Sequence, residues 1–275
     1  MRKSFDDLTI ADDFMFCKVM QDEAICKQFL EMVLAGKIGK ITYLSSQNSI
    51  AAGAEAKSIR LDILVKDENG KTYDIEMQVA NEHNIPKRMR YYQAALDISF
   101  LDKGLHYKTL NDSYIIFVCL FDAIGKGKPL YMFENICLED RQILLQDGAK
   151  KIIINAQAFS KAENKELKGF LEYIKTGAAN TEYTGRIETM IEAVKHNEQA
   201  RKEYRIMSAF EMDAREEGVQ QGIQQGIRQG IQQGFADGSY KKALETAKLM
   251  KHANCEFDFI MQMTGLSKEE VEAIN

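Results

Sequence analysis

An α/β fold with a helical C-terminal extension is what this sequence predicts, on three observations. Residues 58–80, SIRLDILVKDENGKTYDIEMQVA, read as two alternating strands joined by a turn that contains Gly70. Residues 86–103 carry a helical apolar stripe, and the continuous apolar run that follows, within 111–121, suits a buried strand. From residue 160 to residue 217 the pattern is wholly helical, rich in Glu, Lys and Ala. Strands alternating with helices, then helices alone, give an α/β core with an α appendage.

Taken in order, residues 4–34 place Phe14, Phe16, Val19 and Met20, then Phe29, Leu30, Val33 and Leu34, at helical spacing. Two helical segments are expected, stopped at Ala35-Gly36 because glycine is a natural helix stop. Ile38–Leu44 is a candidate short strand, and a small-residue loop, Ala51–Ala56, leads to the hairpin. Pro86 opens the next helix, with Met89, Tyr92, Leu96 and Phe100 on one stripe. A turn over 122–129 follows the buried strand. Tyr131–Leu138 and Ile152–Ile154 read as further strands around a polar helix or hairpin at 139–150.

The hairpin carries the chemistry. One parity is apolar on each strand: Ile59, Leu61, Ile63 and Val65, then Tyr73, Ile75, Met77 and Val79. Side chains alternate faces along a strand, so Asp62, Glu76 and Gln78 all lie on the opposite parity. If Asp62 pairs with Glu76, Asp67 pairs with Lys71, leaving the three-residue loop Glu68-Asn69-Gly70. Such a loop wants positive φ at its last position, which glycine supplies. Directly opposite residues have Cβ atoms roughly 4.5–5.5 Å apart, so both carboxylates reach one divalent cation. A hairpin with a plain polar outer face has the same pattern, and the hairpin alone leaves both readings open.

Composition narrows the class. Apolar content of 45% and charged content of 28% are ordinary for a globular chain. The longest apolar run, Tyr114–Phe121, falls well short of the roughly 18 residues of a membrane span. The opening MRKSFDDLTIADDF turns acidic where a signal peptide needs an apolar core, so a cytoplasmic protein is expected. The five cysteines are widely spaced, and Cys119 and Cys137 sit in apolar stretches, which suits reduced structural thiols. Four scattered histidines give no zinc spacing. A net charge of −5 argues against a strongly basic nucleic-acid coat, though a local patch suffices for binding. Gly125-x-Gly127-Lys128 lacks the complete phosphate loop and reads as a turn. The absence of Trp speaks against a sugar platform, and no Ser or Cys stands in a nucleophile motif.

Residues 217–238, EGVQQGIQQGIRQGIQQGFADG, repeat with period four, with glycines at 218, 222, 226, 230, 234 and 238. Each interior glycine costs a helix about 1 kcal/mol against alanine. Two readings survive: a disordered Gln/Gly linker, or a helix stabilised by self-association through its glycine face. GxxxG marks membrane helices elsewhere, but the interleaved glutamines exclude a span here. In the tail, Thr264-Gly265-Leu266-Ser267 followed by Lys-Glu-Glu reads as helix, turn, Ser cap, helix.

The spacing Asp62…Glu76-x-Gln78 behind an N-terminal helix resembles the PD-(D/E)xK nucleases, and the chain as a whole resembles the nuclease family transposases of that group. The resemblance extends over Asp13-Phe14-x-Phe16-x-Lys18-Val19, Arg60-Leu61-Asp62-Ile63, Asp74-Ile75-Glu76-Met77-Gln78, Pro86-Lys87-Arg88-x-Arg90-Tyr91-Tyr92 and the glycine repeat from Glu217-Gly218. It implies a restriction-endonuclease-like mixed β-sheet flanked by helices and a Mg²⁺-dependent DNA endonuclease, with Mn²⁺ as a substitute, serving recombination or transposition. Asp62, Glu76 and Gln78 are then the catalytic residues, and Asp62, Glu76 and the Met77 carbonyl hold the metal. Gln in place of Lys at the third position is typical of this family. Gln brings an amide but no charge, so a catalytically degraded fold retained for DNA or protein binding is the alternative. Asp13 either approaches the metal or caps the first helix. Arg88, with Lys87 and Arg90, is expected to contact DNA phosphates. The organisation expected is a nuclease core at 1–160, a helical region at 161–216, the repeat at 217–238 as oligomerisation helix or linker, and a helical hairpin at 239–275. DNA and a second copy of the chain are the expected partners.

Overall fold

The computed structural model describes residues 3–46, 49–50, 59–101 and 103–274. The loop expected at Ala51–Ala56 lies outside them. Two compact units emerge, Met1–Tyr204 and Arg205–Asn275.

The first unit opens with α1 (Asp13–Met20) and α2 (Glu23–Leu34). Asp22 caps α2 by accepting from the Ile25 N–H at 2.9 Å. The stop falls on Ala35, not Gly36: Ala35 takes the left-handed conformation, φ 50°. Strand β1 (Ile41–Ser46) starts later than expected, because Ile38 is spent as a buried anchor whose N–H donates to the Glu31 carboxylate at 3.1 Å. The pairs β2 (Ser49–Ile50) and β3 (Ile59–Arg60) form a short two-stranded ribbon. Then come β4 (Ile63–Asp67), β5 (Thr72–Gln78), α3 (Ile85–Phe100) and β6 (Ser113–Cys119). Strands β7 (Leu130–Phe133) and β8 (Ala149–Asn155) complete a six-stranded sheet of order β1-β4-β5-β6-β8-β7. Strands β5, β6 and β8 run parallel, and the other neighbours pair antiparallel, so the sheet is mixed.

The β4–β5 register is Ile63↔Ile75, Leu64↔Asp74, Val65↔Tyr73 and Lys66↔Thr72. It is the register that the turn predicts, and Gly70 holds φ 85° at the last loop position. Asp67 fixes that turn: its Oδ1 accepts from the Asn69 and Lys71 N–H groups, both at 2.9 Å. One face of the sheet, with Leu64, Ile115, Phe117, Cys119 and Ile153, is covered by Ile85, Met89, Tyr92, Ala95 and Leu96 of α3. The helix ends three residues earlier than expected, and Phe100 leaves the buried stripe to stand partly in water.

Elsewhere local polarity overrides the sequence reading. Strand β7 stops at Phe133, and residues 134–148 form an irregular hairpin closed by the Ile136–Leu144 bridge rather than a helix. Cys137 lies in that hairpin, half-buried rather than in the core, while Cys17, Cys26 and Cys119 are buried. The expected continuous helical stretch from 160 is divided. It becomes α4 (Lys165–Thr176), stopped by Gly177 at φ 78°, and α5 (Glu182–Lys195), started by a Thr181 capping box. Helices α1, α2, α4 and α5 pack on one another, with Phe29 against Phe170 and Phe170 against Tyr183.

Helix α6 (Glu198–His252) begins in the first unit and continues into the second. It includes the whole glycine repeat, so 217–238 is helical. In the second unit, α7 (Phe257–Thr264) and α8 (Lys268–Ala273) are separated by Gly265 at φ 73° and a Ser267–Glu270 capping box. Ala247, Ile260, Leu266 and Val271 form its small core. No helix of the described residues is long and apolar enough to cross a membrane.

Candidate active site

Strand β5 carries Asp74, Glu76 and Gln78 on one parity, and the register puts them on the face beneath α3. Asp74 lies between Leu64 and Ile115, Glu76 beside Phe117, and Gln78 beside Cys119. The preceding chain reaches the same place from β4. Asp62 stands one residue before the strand and donates its N–H to Glu76 Oε1 at 2.9 Å. In return Asp62 Oδ2 accepts from the Met77 N–H at 3.1 Å. The two carboxylates are therefore knitted together by reciprocal backbone bonds. The Cys17 thiol on α1 also reaches the Asp62 carbonyl, at 3.5 Å.

Asp74 is the residue that the sequence reading missed. It is 0% exposed, and neither carboxylate oxygen receives a hydrogen bond from a donor among the described residues. Glu76 shares its strand face, and because two ionised carboxylates are acceptors alone, the pair can bond only where one of them is protonated. Burial, and then the Asp62 charge, push Asp74 well above the usual carboxylate range. Glu76 is pushed up likewise, by burial first and then by Asp74 and Asp62. Signal enough existed in the sequence: Asp74 shares the parity of Glu76 and Gln78 and falls opposite Leu64 in the predicted register.

Gln78 folds back on its own strand. Its Nε2 donates to the Met77 carbonyl at 2.7 Å, and its Oε1 accepts from Arg88 Nη1 at 2.6 Å. Arg88 can only donate, so it fixes which end of the amide faces which partner. The same guanidinium donates to the Tyr92 hydroxyl at 3.0 Å, lies 3.5 Å from Glu76 Oε2, and stacks over Tyr92 and Phe117 at 5.4 and 5.2 Å. Burial works against its charge, and Tyr92 and Glu76 more than offset it. Arg88 thus turns into the site, whereas Lys87 and Arg90 stay exposed on α3. Asp13 is the exposed first residue of α1, one turn before Cys17. Asp12 holds the cap position and spends its carboxylate on Thr9 and Lys3.

The donor set fits a hard divalent cation. No cage of three His, Cys, Asp or Glu is gathered among the described residues. Mg²⁺ needs none, because it keeps waters and is held by one or two carboxylates. Asp62, Glu76 and the Met77 carbonyl are all oxygen donors. The carbonyl keeps a second lone pair beside its bond to Gln78. Two buried carboxylates, Asp74 and Glu76, and the half-buried Asp62 face one guanidinium, and a cation would offset the negative charge they carry when ionised.

A mixed sheet with Asp62 at the entry of β4 and Glu76 near the end of β5, the latter opening Glu-x-Gln, is that of a restriction-endonuclease-like α/β fold. The chain belongs to the PD-(D/E)XK nuclease family transposases, whose family model matches residues 11–221. No curated protein and no solved structure matches it significantly.

Proposed function

We propose that this chain is a Mg²⁺-dependent DNA endonuclease, with Mn²⁺ as a substitute, that hydrolyses phosphodiester bonds in recombination or transposition. The observation that carries the reading is the reciprocal pairing of Asp62 with Glu76 beside buried Asp74, whose carboxylate accepts from no donor group among the described residues. Such a charge excess is costly for a fold and useful to a cation site. Asp62, Glu76 and the Met77 carbonyl hold the ion. A divalent ion bound there supplies polarisation of the phosphoryl oxygen and a lower pKa for the attacking water. Gln78 orients that water through its amide. Arg88 places a permanent cation next to Gln78, where the lysine of related motifs would bring its charge, and Lys87 and Arg90 contact flanking phosphates.

The setting is cytoplasmic in this proposal, with buried Cys17, Cys26 and Cys119 as reduced thiols. The chain also self-associates through the repeat in α6. Nicking of plasmid DNA that requires Mg²⁺ or Mn²⁺ and vanishes in Asp62→Ala and Glu76→Ala tests the assignment. Cutting that survives both substitutions removes it. One observation favours the second reading, a degraded nuclease that binds DNA or protein: Gln78 covers the Met77 carbonyl and is held there by Arg88. That reading predicts DNA retention without any heat of Mg²⁺ binding in calorimetry.

A further inference from the structure

The loop between β6 and β7 contains the Gly125-x-Gly127-Lys128 sequence that the site leaves unused. Gly125 and Gly127 sit at φ 74° and 64°, which folds the loop over Asp122. Asp122 accepts from the N–H groups of Ile124 at 3.1 Å, Gly125 at 2.9 Å and Gly127 at 2.7 Å. The Tyr131 hydroxyl donates to Asp122 at 2.9 Å and accepts from the N–H groups of Lys126 and Lys128 at 3.2 and 3.0 Å. Five successive-loop amides thus point inward, and none is left to cradle a phosphate in the manner of a nucleotide-binding loop. What the loop turns outward is charge: Lys126 and Lys128 are exposed, and Lys161, also exposed, joins them by donating its Nζ to the Gly127 carbonyl at 2.9 Å.

The position of this stiff loop gives that charge a meaning. Gln78, Cys119 and Asn155 are in register across β5, β6 and β8, at the carboxyl ends of three parallel strands. Leu120, which starts the loop, donates its N–H to the Gln78 carbonyl at 3.0 Å. Asn155 Nδ2, at the end of β8, donates to the Lys128 carbonyl at 3.1 Å. Two strand spacings separate Gln78 from Asn155, about 10 Å, which is roughly three base steps of one DNA strand. Ligands of open α/β sheets bind beyond the carboxyl ends of the strands, where this loop stands.

We infer that Lys126, Lys128 and Lys161 form a clamp for the phosphodiester backbone of the DNA being cut, gripping it a few nucleotides from Gln78. The inference rests on the nuclease reading and adds a second contact region, in the β6–β7 loop and the 3-10 turn after β8, to Lys87 and Arg90 of α3. The clamp reads no sequence. Lysine ammonium groups on a fixed loop position the strand, and each neutralised phosphate releases a counterion.

The test is binding of a short fluorescent duplex by the full chain in EDTA, where no cutting occurs, across a salt series. Lys126→Ala, Lys128→Ala and Lys161→Ala together are expected to weaken binding by about 10- to 100-fold at low salt and to flatten the log–log salt slope by about 2–3. Arginine at the same three positions restores both. A control triple, Lys37→Ala, Lys71→Ala and Lys108→Ala, removes equal charge elsewhere; Lys71 and Lys108 precede β5 and β6, at the opposite ends of those strands from the site. Equal losses in the two triples, or an unchanged slope in the loop triple, overturn the clamp while leaving the nuclease reading intact. A parent chain that binds no duplex overturns both.

Discussion

In the hairpin, Asp62, Asp74 and Glu76 bring carboxylates beneath or beside α3, where the rest of the sheet presents apolar side chains. In the repeat of α6, Val219, Ile223, Ile227, Ile231 and Phe235 present apolar side chains to water, each 55–78% exposed. The two regions break the inside-out rule in opposite directions, and each break has its own thermodynamic sign. A buried charge without a full set of partners costs stability until a counter-charge arrives. An exposed apolar stripe costs little in the lone chain and offers free energy when a surface covers it. On the proposed reading, the hairpin takes up a cation and the repeat a partner surface. Substitutions that remove either anomaly are expected to make the unliganded chain more comfortable and less capable.

The largest effect belongs to Glu76→Gln. It keeps an acceptor for the Asp62 N–H and removes the charge. Plasmid nicking is expected to fall at least about a thousandfold, the scale of several kcal/mol of lost charge stabilisation. Thermal unfolding without divalent ions should occur no lower than in the parent. A variant that keeps cutting, or that loses both activity and stability together, would place Glu76 in the scaffold instead.

Arg88→Met comes next. It removes the guanidinium that bonds Gln78 and Tyr92 and lies beside Glu76. Its side chain is 26% exposed, so the cost is set below that of a fully buried pair, about 2 kcal/mol in EDTA. Saturating Mg²⁺ should recover part of that loss, because the ion replaces the missing positive charge. Equal destabilisation with and without Mg²⁺, read from denaturant unfolding, would break the link between Arg88 and the cation site.

Asp74→Asn follows, with a dependence on pH. A carboxyl whose pKa is raised by folding keeps its proton in the native state after the unfolded chain has released it. Its contribution is complete below the unfolded value, near 3.8, and is lost as pH climbs toward the raised native value. The asparagine variant lacks this loss. It should exceed the parent by about 1–2 kcal/mol at neutral pH and converge with it at acid pH. Added Mg²⁺ should narrow the gap at neutral pH. A pH-independent difference in unfolding free energy would show that the Asp74 charge is not what strains the sheet.

Much of the hairpin was legible because its determinants are local. Gly70 sets the turn, the turn sets the register, and the register pairs Asp62 with Glu76. The burial of Asp74 was not, since it depends on α3 lying over that part of the sheet, a contact between segments far apart in sequence. The inward turn of Arg88 left a weaker trace: it is one helical turn from Tyr92, at the edge of the apolar stripe. Gln78 shows the same limit from the other side, for its parity was readable but its bond to the Met77 carbonyl was not. The hairpin at 134–148 and the stop at Ala35-Gly36 were legible with their details open, the first as a helix or hairpin and the second credited to the glycine. There, turn geometry decided between alternatives that the pattern suited equally well.

The smallest effect, and the one that most sharpens the comparison, is expected from Gly226→Ala with Gly230→Ala in α6. In a lone helix each substitution should stabilise by up to about 1 kcal/mol, because alanine is the better helix former. Among the described residues, and apart from the helix's own adjacent backbone, nothing lies within 4 Å of a Cβ added at either position, so the lone helix offers no clash to offset the gain. Where a second copy packs closely against the glycine face, the added methyl groups push the two backbones apart. The double variant is then expected to show undiminished helicity by circular dichroism yet a lower mass by light scattering. A more helical chain of unchanged mass would mean that the glycines face only water. The exposed stripe of Val219 to Phe235 would then have to be covered by something other than another copy of this helix.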